Sequence, residues 1–108
     1  MHALASKNCR PLPKGNPALA AADVTAMLRE FEGWNLDSGA ITKTFSFPDY
    51  QQTLAFVNAV AWIATRQDHH PDLLVQFDRC RVSYATHSVG GISENDFICA
   101  ARIEGLFA

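Results

Sequence analysis

The 108-residue sequence has no long apolar run, little net charge and few cysteines. No stretch approaches the roughly 18 consecutive apolar residues that a membrane helix needs. The formal charge of -2 gives no strong attraction to nucleic acid or to an anionic membrane surface. Residues 1–13 lack the apolar segment of a secretory signal. We therefore predict one globular domain over residues 1–108, with neither nucleic acid nor a membrane as its partner.

The three cysteines, Cys9, Cys80 and Cys99, include no Cys-x-x-Cys pair. An odd number without that spacing indicates neither a disulfide framework nor a zinc knuckle. The pattern favours a reduced, cytoplasmic protein in which Cys80 and Cys99 are small core residues.

Hydrophobic periodicity predicts the order helix, two strands, helix, two strands, helix. Residues 1–18, rich in proline, are expected to form a loop-like N-terminal arm. The predicted elements are a helix over 20–32, strands over 34–36 and 41–47, a helix over 48–68, strands over 73–77 and 80–87, and a helix over 94–106. Hairpins separated by a long helix predict an α+β fold, with three helices packed on one face of an antiparallel four-stranded sheet.

Several polar residues and one glycine are predicted to mark helix ends. Gly33 is placed to end the first helix. Ser46 is predicted to cap the long helix, with Pro48 in its first turn. Ser93 and Asp96 have capping-box spacing, so Asp96 is interpreted as a helix-capping carboxylate rather than a catalyst.

The long helix has apolar residues on two sides. One stripe contains Phe56, Val60 and Ile63; the other contains Leu54, Val57, Ala61 and Ala64. We predict that one stripe covers the sheet and the other meets a second subunit. The alternative is a second stripe that is partly exposed to solvent.

Three of the four histidines lie in two short segments, Asp68-His69-His70-Pro71 and Thr86-His87. An imidazole, with a pKa of about 6.5, exchanges protons near neutral pH. Because a proline disfavours helical backbone in the preceding residue, the long helix should end near His70 and release both side chains. We predict that the three imidazoles line one pocket for proton transfer. Two alternatives remain: a polar helix end without a catalytic role, and a metal site, which lacks a fourth ligand and the His-x-x-x-His spacing.

These segments also resemble a known family. The runs Asp68-His69-His70-Pro71-Asp72, Thr86-His87 and Gly91-Ile92-Ser93-Glu94-Asn95-Asp96 are similar to those of the pterin-4a-carbinolamine dehydratases, also called 4a-hydroxytetrahydrobiopterin dehydratases. The resemblance begins near Leu19 and reaches the C-terminus. It implies the α+β fold read above and the loss of water from 4a-hydroxytetrahydropterin to give quinonoid dihydropterin. It also implies pterin recycling beside an aromatic amino-acid hydroxylase, without a metal or organic cofactor.

The resemblance assigns roles to particular residues. It implies catalytic roles for His69, His70 and His87, and substrate contacts at Asp68, Pro71, Thr86 and Ser88. Our hypothesis is that His70 and His87 act as acid and base while His69 holds the pterin or its hydroxyl. The chain differs from many members at Leu73, Phe77 and Asp78, where they carry tryptophan, tyrosine and asparagine, and from animal members at Thr65, where they carry glutamate.

The expected partners are a pterin substrate and further copies of the chain, as a dimer or a tetramer. Animal members of the family also serve as a dimerisation cofactor of a homeodomain transcription factor. The alternative function is therefore a non-catalytic dimerisation or regulatory subunit with the same fold.

Overall fold

The computed structural model describes residues 2–108 and shows an antiparallel four-stranded sheet with three helices. The order of the elements is the predicted one, so the α+β fold class is confirmed. The elements are α1 (Ala21–Leu28), β1 (Asn35–Asp37), β2 (Ala40–Ser46), α2 (Tyr50–Gln67), β3 (Asp72–Gln76), β4 (Arg79–Tyr84) and α3 (Glu94–Glu104). The strand order is β1-β2-β4-β3, so the two hairpins meet where β2 pairs with β4.

The core lies between the helices and one face of this sheet. Ile41 of β2 pairs with Tyr84 of β4, and Phe45 pairs with Cys80. All four side chains are buried, because alternate residues of a strand point to the same face. The helices complete the core mainly with Phe56, Val60 and Ile63 of α2 and Phe97, Cys99, Ala100, Ala101 and Ile103 of α3. The prediction that Cys80 and Cys99 are core residues is confirmed.

The first helix is shorter than predicted. It ends at Leu28 rather than Glu32, and the next residues turn through Glu30 and Phe31, whose N–H groups donate to carbonyls three residues back. Gly33 therefore lies beyond the helix end. Its φ of +84° belongs to the turn that leads into β1.

The cap of α2 is Asp49, and the prediction of Ser46 was wrong. The Asp49 carboxylate accepts a hydrogen bond from the backbone N–H of Gln52 at 2.8 Å. Ser46 is instead the last residue of β2, where its pairing with Arg79 keeps the backbone extended. Sheet pairing therefore decided between two residues that can both serve as caps.

Two further boundaries differ from the prediction. The strand β4 ends at Tyr84 rather than His87, and His87–Val89 forms a 3₁₀ turn closed by a bridge between Thr86 and Gly91. The last helix ends at Glu104 and continues as a 3₁₀ turn to Phe107. Phe107 is 55% exposed, although one side of its ring stacks on Phe45.

The two stripes of α2 differ in burial. Phe56, Val60 and Ile63 are buried against the sheet, as one of the predicted stripes should be. In the other stripe Ala64 is buried, whereas Leu54 and Ala61 are exposed. The single chain thus leaves part of this stripe open to solvent, and a covering second subunit stays a prediction.

The N-terminal arm packs along α3. It contains a 3₁₀ turn over Ala3–Ser6 and inserts Leu4, Ala5 and Cys9 partly into the core. Within residues 2–108, no helix combines the length and the apolar character that crossing a lipid bilayer requires.

Candidate active site

The helix α2 ends in a left-handed turn that aims His69 into the protein. Asp68, with φ 50° and ψ 43°, is the C-terminal cap, a conformation that short polar residues tolerate better than most. The N–H of His69 donates back to the carbonyl of Ala64 at 3.1 Å. The helix therefore ends before the position that Pro71 predicts, because the turn at Asp68 already breaks it.

His69 is held in place by contacts with Asp96 and Tyr84. Its Nε2 lies 2.6 Å from Oδ1 of Asp96, and its ring stacks on Tyr84 with the centroids 5.2 Å apart. The Tyr84 hydroxyl donates to the backbone carbonyl of His69 at 3.2 Å. The His69 side chain is 12% exposed and that of Asp96 is fully buried. The imidazole thus has one fixed position.

Asp96 also reaches the second histidine segment. Its Oδ2 accepts hydrogen bonds from the Thr86 hydroxyl and from the backbone N–H of Ser93, both at 2.9 Å. The hydroxyl groups of Thr86 and Ser93 lie 2.7 Å apart. One carboxylate therefore joins His69 to the residue that precedes His87.

Sequence reasoning treated Asp96 as a cap and missed its second role. The capping-box spacing to Ser93 is confirmed, yet the same carboxylate also binds the imidazole. The position of Asp96 at the end of the third run of the resemblance was the available signal.

The electrostatic environment favours the charged form of His69. Burial lowers its pKa, but the hydrogen bond to Asp96 and the negative charge of Asp96 outweigh that effect. The pKa of His69 is consequently raised from its ordinary value of 6.5. Asp68 and Cys9 add smaller contributions in the same direction.

His70 and His87 are both exposed. His87 begins the 3₁₀ turn after Thr86 and lines a cavity of about 320 Å³. The tip of the β1–β2 hairpin, at Ser38 and Gly39, forms another wall of this cavity. The structure therefore joins His69 to the Thr86-His87 segment through Asp96, while the convergence of all three imidazoles stays a prediction.

The other residues predicted to contact the substrate differ in solvent exposure. Asp68 is exposed, Pro71 and Ser88 are half-buried, and Thr86 is buried with its hydroxyl bonded to Asp96. Asp68 also lines a second cavity, of about 280 Å³, between the arm and the end of α2. Their contacts with a substrate stay predictions.

No metal centre is found in residues 2–108: no group of three or more His, Cys, Asp or Glu side chains is arranged to hold an ion. The fold and the site thus define a small α+β protein in which a buried carboxylate binds one imidazole, that of His69, and a second imidazole, that of His87, lines an open cavity. The sequence pattern that describes the pterin 4 alpha carbinolamine dehydratase family matches residues 17–106. The chain belongs to this family.

Relatives and solved structures agree with that assignment. A Nitrosospira multiformis protein named for pterin-4-alpha-carbinolamine dehydratase is 53% identical over 104 residues, covering 96% of this chain and 92% of its own length. A Xanthomonas campestris pv. campestris protein of the same name is 54% identical over 106 residues, covering 96% and 90%.

Among solved structures, a transcriptional coactivator/pterin dehydratase from Brucella melitensis superimposes with a TM-score of 0.79 at 31% identity. It covers 84% of this chain and 99% of its own. A pterin dehydratase-like protein described as a RuBisCO assembly factor in the alpha-carboxysome has a TM-score of 0.56 at 24% identity, covering 68% and 84%. The second likeness shows the fold alone.

Proposed function

We propose that this chain is a dehydratase that removes water from 4a-hydroxytetrahydropterin and yields quinonoid dihydropterin, as a step of tetrahydrobiopterin recycling. The observation that carries the proposal is the contact of Asp96 with both His69 and Thr86, at 2.6 and 2.9 Å. It ties the two histidine segments into one cluster. Family membership supports the substrate class.

The reaction needs two proton transfers. An acid protonates the hydroxyl on C4a, the C–O bond breaks and water leaves; a base takes the proton from N5, and the double bond between N5 and C4a forms. We assign these roles to His70 and His87, which the family resemblance implies are catalytic and whose side chains are both exposed. Positioned acids and bases typically contribute about 10²–10⁴-fold each.

His69 has a different task in this mechanism. Its Nε2 is bonded to Asp96, so only Nδ1 is available to another partner. The raised pKa of His69 favours the imidazolium, in which Nδ1 carries a proton that can be donated to the pterin or to the departing hydroxyl. We therefore place His69 as the residue that holds the substrate.

We infer substrate contacts at Asp68, Pro71, Thr86 and Ser88 from the family pattern. The Thr86 hydroxyl already donates to Asp96. In this proposal that hydroxyl positions the turn that carries His87. Ser88 follows His87 in the same turn and is half-buried, which places it beside the proposed base or acid.

The test is a direct assay of dehydration. The 4a-hydroxypterin is generated in solution, and the appearance of quinonoid product is followed with and without the protein. We expect His70→Ala and His87→Ala to lower kcat/KM by about 10²–10⁴-fold each. His2→Ala is the matched control, because His2 lies at the arm beside Glu30. Folded His70→Ala and His87→Ala variants that work as fast as the parent would overturn the assignment.

A homo-oligomer, dimer or tetramer, is also part of the proposal. Large apolar side chains remain exposed on the single chain, among them Trp62 on α2 at 63% and Leu74 on β3 at 56%. Such side chains favour a covering surface. We also propose a cytoplasmic location, which fits the three free cysteines. A functional link to an aromatic amino-acid hydroxylase is part of the proposal too, because that enzyme would supply the substrate.

The second candidate function is a dimerisation or regulatory subunit without turnover. The exposed Trp62 and Leu74 side chains are consistent with it, because exposed apolar side chains can contact a partner whether or not catalysis occurs. The Brucella melitensis neighbour is described by both words, coactivator and dehydratase. A chain that forms oligomers but shows no turnover in the assay would support this function instead.

A further inference from the structure

Cys9 and Cys99 bring two thiols together where the N-terminal arm crosses α3. Their Sγ atoms are 3.7 Å apart. Cys99 is fully buried in α3, whereas Cys9 is half-buried in the arm. A disulfide needs a sulfur–sulfur distance of about 2.05 Å, so an approach of roughly 1.7 Å would join them. Cys9 is not part of a helix or strand, so rotation of its side chain with a small local shift of its backbone can supply this movement.

Hydrogen bonds on both sides of Cys9 keep the arm in place. After Cys9, the buried side chain of Asn95 accepts from the N–H of Arg10 at 3.1 Å and donates to its carbonyl at 2.8 Å. Before Cys9, Arg102 donates two hydrogen bonds to the carbonyl of Lys7, at 2.8 and 3.1 Å. These contacts keep the Cys9 thiol facing Cys99. Reaction between the two thiols is favoured because they are already held close together.

The two thiols have different environments. Cys9 is half-buried and lines the 280 Å³ cavity beside Arg10 and Arg66, whereas Cys99 is fully buried. The hydrogen bond from Cys99 lowers the pKa of Cys9 and outweighs the effect of burial. The pKa of Cys99 is raised, first by that hydrogen bond and then by burial. Of the two thiols, Cys9 therefore loses its proton more readily, and Cys99 keeps its proton.

We propose that Cys9 and Cys99 form a peroxide-responsive thiol pair that closes to a reversible disulfide between the arm and α3. The Cys9 thiolate attacks one oxygen of hydrogen peroxide, the O–O bond breaks and hydroxide leaves, which gives a sulfenic acid. The sulfur of Cys99 then attacks the Cys9 sulfur and loses its proton, and the S–O bond breaks to release water. Two thiols are oxidised, and the peroxide is reduced to two molecules of water once the hydroxide is protonated.

Only one of the two cysteines lies within the region that the family pattern covers: Cys99 does and Cys9 does not. The family pattern matches residues 17–106, and Cys9 precedes it. The thiol chemistry requires neither a pterin nor the acid–base roles of the histidines. The proposed modification of this thiol pair is therefore independent of the proposed dehydration, and an experiment that excludes one does not exclude the other.

The experiment counts thiols after brief exposure of the folded, full-length protein to hydrogen peroxide. The protein is then denatured, treated with an alkylating agent and digested for mass spectrometry. We expect the parent to lose about 2 Da, to retain Cys80 as its one alkylated thiol, and to yield a peptide linking Cys9 to Cys99. Dithiothreitol should restore both thiols.

Two variants complete the test. Cys9→Ser should keep both of its remaining thiols, because the attacking sulfur is gone. Cys80→Ala is the matched control: Cys80 is also buried, so folding of this variant is checked first, and the folded variant should still form the Cys9–Cys99 link because Cys80 lies in β4. Replacement of the fully buried Cys99 risks unfolding, so Cys9→Ser carries the test. A link that involves Cys80, a link between two chains, or a sulfinic acid on Cys9 with Cys99 still free would overturn the proposal.

Discussion

His69 and Asp96 lie 27 positions apart in the sequence and meet through a 2.6 Å contact between Nε2 and Oδ1. The carboxylate comes from the first turn of α3 and the imidazole from the residue after the cap of α2. Because both side chains are largely buried, this contact forms only when α2 and α3 are packed together.

The charge of Asp96 should control the protonation of His69. In Asp96→Asn the amide oxygen can still accept from Ser93 and Thr86, while the amide N–H₂ faces Nε2 and favours a neutral imidazole. We expect the pKa of His69 to fall and the free energy of unfolding to drop by about 1–3 kcal/mol. An NMR titration of the imidazole measures the first effect. Glu94→Gln, which loses a contact to Lys7 only, is the control, and an unchanged His69 titration would contradict the prediction.

The same ion pair predicts a pH dependence of stability. The folded-state pKa of His69 is raised, so between the two pKa values the native state binds more protons than the unfolded state. The stabilising effect is fully present below about pH 6.5 and is lost as the pH rises through the folded-state value. Urea unfolding of the parent and of His69→Gln at a series of pH values measures it. The difference between them should shrink as the pH rises, and a difference that grows would show that the sign is wrong.

The Thr86 hydroxyl should matter more than its methyl group. Thr86→Val leaves a buried acceptor on Asp96 and a buried hydroxyl donor on Ser93 without their partner, which typically costs about 1–3 kcal/mol. Thr86→Ser keeps the hydroxyl and should lose roughly 1 kcal/mol or less. Chemical denaturation compares the two variants. If the valine variant is as stable as the serine variant, the hydrogen bond to Asp96 is not stabilising.

Removal of the helix cap should distinguish Asp49 from Ser46. Asp49→Ala removes the acceptor for the N–H of Gln52 and should lower the free energy of unfolding by about 0.5–2 kcal/mol. Ser46→Ala, at an exposed position of β2, should change it by no more than about 0.5 kcal/mol. Thermal or urea unfolding of both variants provides the comparison. Equal losses would mean that the two residues do not differ in capping.

The alternation of apolar residues predicted the sheet better than it predicted the ends of the helices. Cys80, Val82 and Tyr84 all face the core, because a strand with one covered side must alternate. Ser46 and Asp49 could not be separated in the same way, since both residue types cap helices and both lie within two residues of Pro48. The pairing of β2 with β4 extends the strand to Ser46 and so leaves Asp49 as the cap of α2. The local sequence does not encode this pairing.

The sequence by itself determined the order of the elements, the buried face of β4 and the concentration of histidines in two segments. These features follow from local periodicity and from the chemistry of single residues. Only the tertiary structure decided that Asp96 binds His69 and that Cys9 faces Cys99, pairs separated by 27 and 90 positions. Such contacts depend on how α2, α3 and the arm pack, and a partner so distant in the chain leaves no periodic pattern in the sequence.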